Sequence, residues 1–252
     1  MKNPKYESFD EVLRTYLLAQ EKEAFEKRDN DWWWSSELGT CMRKQFLRRL
    51  GIKSKEKHWR ITFLAEQGKA IHYWIQKIVK DTGRLIAAEE EIKDEGLRFK
   101  GRFDLIVDLN GEDKPHLSLV DIKTQRSEAF FRRAKDPEAA KVKEFQKIQL
   151  ASYFLFARRK YPDLKDARVY YLDRGGGVRE EFVFKFKPEI LKRVLDELAL
   201  LNNFWSKKTL PPCNHTWECK EWCDFYKKEC ELIEKGQLSL EDFVTKFKRD
   251  GK

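Results

Sequence analysis

The chain has 252 residues, enough for a full hydrophobic core with a small satellite, and is 38% charged and 41% hydrophobic. No apolar run approaches the roughly 20 residues of a membrane span, and the opening MKNPKYESFDEVL lacks the apolar centre of a secretory signal, so a cytoplasmic protein without a membrane partner is expected. A net charge of +9 points to a polyanionic partner, and much of the excess lies between Cys41 and Arg60, where eight lysines and arginines face Glu56 alone. A solvated helix face is the ordinary role of such a stretch.

In chain order, residues 5–28 read as an amphipathic helix, with Phe9, Val12, Leu13, Tyr16, Leu17 and Phe25 at helical spacing. After Trp32–Trp34, Ser35-Ser36-Glu37 reads as the start of a basic helix running through Leu50 and ending at Gly51. Residues 59–81 predict another helix. In it Gly68, His72 and Gln76 recur every four residues and so share a face, with Gly68 allowing close backbone approach. Strand signals begin at Leu85, and the acids Glu89, Glu90 and Glu91 read as a solvated strand edge from which one could approach a metal through water.

The runs Phe103–Leu109 and Leu117–Ile122 flank an Asn-Gly turn, the pattern of a β-hairpin. Asp104 and Asp121 interrupt these apolar runs, and Lys123 shares the face of Asp121 by the two-residue strand period. Burying such charges is costly unless something holds them. Magnesium or manganese suits hard oxygen donors, and a nearby lysine can steady an attacking water or a phosphate.

A basic connection follows at 127–136, then a helix over Ala139–Lys160 on which Gln149 and Tyr153 share a face. Arg168–Asp173 and Val178–Phe186 flank Gly175-Gly176-Gly177 as a second hairpin. Pro188 opens a helix to about Ser206, Leu210-Pro211-Pro212 breaks it, and a short charged helix starts near Ser239. The order of elements predicts an α/β fold with a small mixed sheet flanked by helices. Four of the five cysteines, Cys213, Cys219, Cys223 and Cys230, fall in the last 40 residues. In an intracellular chain such a cluster points to a metal or iron–sulfur site rather than to disulfides.

Taken together, His72 on a helix, Asp104 in GRFD, Asp121-Ile122-Lys123 and Gln149-x-x-x-Tyr153 resemble the ordered motifs of the RecB-like branch of the PD-(D/E)XK nuclease superfamily. Its iron–sulfur members, CRISPR-associated RecB-like exonucleases and the AddB nuclease domain, place one cysteine before the nuclease core and three after it. The resemblance spans roughly Ser35 to Cys230. It implies a restriction-endonuclease-like core over 61–206, an N-terminal helical region over 1–60, and a helical cysteine-cluster segment over 207–252. By the same resemblance Asp104, Asp121 and the Ile122 carbonyl hold Mg2+ or Mn2+, joined by His72. Lys123 orients and helps deprotonate the attacking water, and Gln149 and Tyr153 position the site or the nucleic acid.

The resemblance further implies that Cys41, Cys219, Cys223 and Cys230 hold a 4Fe–4S cluster. Their C-terminal gaps are each one residue longer than the family's, Cys213 is a spare, and zinc is the alternative occupant. The implied activity is that of a metal-dependent deoxyribonuclease, an exonuclease on single-stranded DNA ends, in DNA repair, recombination, phage replication or CRISPR adaptation. A helicase or integrase would be its protein partner. A structure-specific endonuclease and a non-catalytic DNA-binding or partner-docking module are the alternatives. The basic stretch could then guide a strand, with Arg48 and Arg49 on phosphates and Trp59 or Phe46 stacking bases.

Overall fold

The computed structural model describes residues 8–52, 59–110, 114–126, 128, 141–175, 177, 179–213, 219, 223, 225 and 230. The expected helix near Ser239 and nearly all of the 127–136 connection lie outside them. Helix α1 (Phe9–Glu26) opens on a capping box, in which Ser8 and Glu11 satisfy each other's backbone N–H. Only Leu17 of its apolar positions is buried, and Phe9, Val12 and Tyr16 are exposed.

The helix expected over Ser35–Leu50 is instead broken. Trp33–Trp34 form a short strand, β1, Ser35–Glu37 make one 3-10 turn, and helix α2 covers Met42–Arg49. Gly39 explains the break. Its φ is +75°, and a Cβ there would lie 2.9 Å from the Phe145 Cα, so the chain turns away at a residue without a side chain. Helix α3 (Trp59–Asp81) matches its expected bounds.

Strands β2 (Leu85–Ala88), β3 (Glu91–Asp94), β4 (Phe99–Arg102), β5 (Leu105–Asp108) and β6 (Leu117–Gln125) follow. Next come α4 (Glu144–Ala157), the second hairpin β7 (Leu164–Asp173) and β8 (Arg179–Phe184), and α5 (Pro188–Ser206). Among the described residues two sheets form. A five-stranded sheet runs β2-β5-β6-β7-β8, with β6 and β7 parallel and its other neighbours antiparallel. A three-stranded sheet runs β1-β4-β3, with β1 parallel to β4. The mixed α/β architecture with a small central sheet is therefore as expected.

The main core lies between the five-stranded sheet and helices α4 and α5, where Leu119, Val169 and Tyr171 meet Ile148, Ala151, Phe154, Val194 and Leu198. Leu105, Val107 and Ile122 on the opposite face meet Ile75 and Val79 of α3. As expected, Gly68 permits a close approach: a Cβ would sit 3.3 Å from Thr124 Oγ1. No helix among the described residues is long and apolar enough to cross a membrane.

In the described part of the basic stretch, helix α2 is packed against its neighbours. Phe46 is 2% exposed and packs on Trp205, and Arg43 donates to the Pro211 carbonyl. Arg49 lies between the rings of Trp33 and Trp205, 4.2 and 4.3 Å from their centroids, and donates to the Asp31 carbonyl. Burial pulls its guanidinium down to about 10. Charge alone suggests a solvated face, but α2 is packed on several sides, so Arg43 and Arg49 serve the core through their stems and planar heads. Arg49→Ala should lower stability by about 2–3 kcal/mol, seen as a lower urea midpoint with an unchanged slope.

Candidate active site

The site is built where the chain passes from one sheet to the other. Strand β4 ends at Arg102, β5 begins at Leu105, and Asp104 lies in the crossing. Pairing of β5 with β6 begins at Leu105 opposite Val120. Beyond it, the Asp104 carboxylate takes the place of a backbone acceptor: the Ile122 N–H donates to Asp104 Oδ2 at 2.6 Å. Asp104 Oδ1 lies 3.4 Å from His72 Nδ1 on α3. Burial would lower the His72 imidazolium, but its contact with Asp104 outweighs that and holds it above the ordinary histidine value.

From Asp121 the contacts continue in one line. Lys123 Nζ is 3.0 Å from Asp121 Oδ1 and 2.9 Å from Oδ2. The same ammonium donates to Gln149 Oε1 at 3.2 Å, and Gln149 Nε2 donates to Tyr153 Oη at 2.9 Å. The structure thus brings His72, Asp104, Ile122, Asp121, Lys123, Gln149 and Tyr153 into one cluster. Asp121 is 2% exposed, and burial, together with the Asp104 charge and against the pull of Lys123, raises its carboxyl to about 6. Burial would depress Lys123, but Asp121 and Asp104 more than reverse this and keep it above an ordinary lysine. Tyr153, buried beside Asp121, is pushed up to about 12 and stays a neutral phenol.

Glu89 completes the acidic group, and sequence reasoning did not single it out. Its carboxylate, His72 and Asp104 each offer a ligand atom within 4.8 Å of the others. Gln76, on the same face of α3, donates to Glu89 Oε1 at 2.8 Å and to the Asp104 carbonyl at 3.3 Å. The Glu89–Glu91 run and the four-residue spacing of His72 and Gln76 were the available signal. What separates the acids is geometry. Glu90 pairs with Lys160 and Tyr161 and Glu91 with Lys93 and Lys100, whereas Glu89, at φ +50°, pairs with Arg102 and lies in the group with His72 and Asp104.

These residues fit a divalent cation. The donors of His72, Glu89 and Asp104 are hard carboxylate oxygens with one imidazole, their ligand atoms within 4.8 Å of one another. Carboxylates held this close repel one another, and a divalent cation between them relieves that repulsion.

Gly101 sets the spacing behind the site. A Cβ there would lie 2.8 Å from Ser35 Cβ and 3.0 Å from Tyr153 Cε1. Ser35 Oγ and Ser152 Oγ are 2.7 Å apart, and Ser152 donates to the Gln149 carbonyl, so the 3-10 turn after β1 and Gly101 of β4 lean directly on the helix that carries Gln149 and Tyr153. Gly101→Ala should displace Tyr153 and Gln149. The expected result is a stability loss of about 1–3 kcal/mol with a larger fall in turnover than in substrate affinity, measured by thermal melts and steady-state kinetics.

The thiols form a second cluster away from the acids. Cys213 and Cys219 Sγ are 3.6 Å apart, and Cys223 and Cys213 both act electrostatically on Cys230. Burial, reinforced by those two sulfurs, raises Cys230 to about 12 against the opposing charge of Arg43. Cys41 is buried at the start of α2, whose Arg43 reaches both Pro211 and Cys230. Cys213, the expected spare, is as much a member of this group as Cys219.

The chain was compared with known proteins. A family model of the PD-(D/E)XK nuclease superfamily matches residues 7–231. No curated protein matches. Among solved structures, the protein described as SSO0001 superposes with a TM-score of 0.51 at 18% identity, covering 87% of this chain and 95% of that one, which shows a shared fold. The alkaline exonuclease LHK-Exo of Laribacter hongkongensis gives a TM-score of 0.46 at 15% identity, over 74% of this chain and 97% of its own. Its complex with dAMP gives 0.47 at 15%, over 74% and 93%. With the family model covering nearly the whole length, this chain belongs to the PD-(D/E)XK nuclease superfamily.

Proposed function

We propose that this nuclease is a divalent-metal-dependent deoxyribonuclease that hydrolyses single-stranded DNA from its ends. Asp104, Asp121 and the Ile122 carbonyl, with His72, would hold Mg2+ or Mn2+, and Glu89 joins them as a further donor. The metal supplies a nucleophilic water at neutral pH and neutralises charge on the phosphate. Lys123, kept protonated by its acids, donates to the attacking water or a phosphate oxygen. Gln149 accepts from Lys123 and, through Tyr153, fixes the direction of that ammonium. The observation that carries this reading is the gathering of ligand atoms of His72, Glu89 and Asp104 within 4.8 Å of one another beside the buried Asp121–Lys123 pair.

We also assign Cys41, Cys219, Cys223 and Cys230 to a 4Fe–4S cluster of the iron–sulfur branch, with zinc as the alternative and Cys213 as a competing ligand. The support is the gathering of the thiols against the helix that Cys41 begins. The deciding experiment is hydrolysis of end-labelled single-stranded, double-stranded and circular DNA with Mg2+ or Mn2+. Labelled ends should shorten stepwise on linear single strands and circles should survive. Cutting of circles would instead show an endonuclease, and no cutting of any substrate would leave a non-catalytic module.

A further inference from the structure

A cleft of about 570 Å3 opens between α1 and β4, within the size of a pocket for one extended ligand. Five cations line it, Lys27, Arg28, Arg48, Lys100 and Arg102, around the indole of Trp34. Arg28 and Lys100 stand 5.6 and 5.3 Å from the Trp34 ring centroid. The cleft begins where the acidic site ends. Arg102 is two residues before Asp104, and its Nε is 2.9 Å from Glu89 Oε2. Trp34 precedes Ser35, which contacts Ser152 on the helix of Gln149 and Tyr153.

The cations grade from open to sheltered. Lys27 and Arg102 side chains are 74% and 63% exposed, while Arg28 and Lys100 are 23% and 12% exposed. Arg28 and Arg48 are both braced on the buried Glu37, 2.9 Å from each, so their positions are set before any ligand arrives. Lys100 meets Asp29 and Glu91, and Arg102 meets Glu89, on partly exposed carboxylates. Pairs of that kind contribute little and can yield to a phosphate.

We propose that this cleft holds the nucleic-acid strand next to the bond being cut, with phosphates on Arg102, Lys100, Arg28 and Lys27 and one base against Trp34. Alternation of cations with an aromatic face is what a single strand requires, since its phosphates and unpaired bases must be met together. The inference rests on the reading of the acidic site as a nuclease centre for DNA.

The test uses Lys27→Glu, Lys100→Gln and Trp34→Leu in the full chain. Binding of a fluorescein-labelled oligothymidylate is followed by anisotropy across a salt series in Ca2+, and hydrolysis of bis(p-nitrophenyl) phosphate, too short to extend from the acidic site into the cleft, is followed with Mn2+. Trp34→Leu should weaken oligonucleotide binding about five-fold or more. Each charge variant should flatten the log–log salt slope by about 0.7 for every phosphate it no longer neutralises. Hydrolysis of the small diester should stay unchanged. Unchanged binding and slope in Lys27→Glu and Lys100→Gln would overturn the proposal, and so would an equal loss on the small diester. A wild-type protein that binds through these residues but cuts nothing would overturn the nuclease reading and leave the cleft assignment standing.

Discussion

Replacing Lys123 with methionine is expected to reduce DNA hydrolysis by about 10^2–10^3-fold while the protein remains folded. The stem of the side chain is preserved, so the packing around β6 and α4 persists. What disappears is the ammonium shared by both Asp121 oxygens and Gln149 Oε1. Steady-state kinetics should show the loss in kcat, because the charge is needed most when the attacked phosphate is most anionic. Full activity in Lys123→Met would remove the lysine from the mechanism.

The same substitution should move a pH window. The Asp121 carboxyl is raised from 3.8 to about 6, so the folded state binds its proton more tightly than the unfolded chain does. The stability contributed by that proton is present at low pH and lost as pH rises towards 6. A divalent cation needs the ionised carboxylate, so added Mn2+ should raise the melting temperature little near pH 5 and clearly above pH 6. Lys123→Met removes the positive charge that opposes the rise, and the onset of Mn2+ stabilisation should shift to higher pH. A Mn2+ effect equal at pH 5 and pH 8 would separate cation binding from Asp121.

The parts of this molecule readable from sequence are those governed by local rules. Helix α5 follows from Pro188 at its first turn and the Pro211-Pro212 break after it, and both hairpins follow from alternating runs around Gly-containing turns. Asp104, Asp121 and Lys123 stood out because charge inside an apolar strand needs a reason. Non-local pairing was not readable. Strand β1 is two tryptophans with no period to detect, and it exists because β4 lies beside it. Glu89 looked like its two neighbours, and only backbone direction at φ +50° selects it. The arginines of α2 read as a solvated face, whereas the indoles that enclose Arg49 come from positions 33 and 205.

If the thiols hold a metal as proposed, its removal should have the second large effect. Cys230 is raised to about 12 by burial and by its neighbours Cys223 and Cys213, so several thiolates cannot gather there without compensating positive charge. Arg43 supplies part of it, and under the proposed assignment a bound metal centre would supply the rest. Among the described residues the surrounding apolar cluster is built on Leu47, Ile52, Phe225 and Cys230, with Leu50, Leu210 and Cys223 packed against it. Under the proposed assignment, protein purified without oxygen carries iron and acid-labile sulfide, or zinc if that is the occupant. Chelation or Cys230→Ser should cost on the order of 5 kcal/mol and expose the chain beyond Pro211 to protease before the nuclease core is cut. Cys213→Ser compared with Cys219→Ser then decides which sulfur is the ligand, since only loss of a true ligand lowers metal content and melting temperature together. Metal-free protein whose melting temperature is unchanged by Cys230→Ser would show that the thiols pack as ordinary core residues.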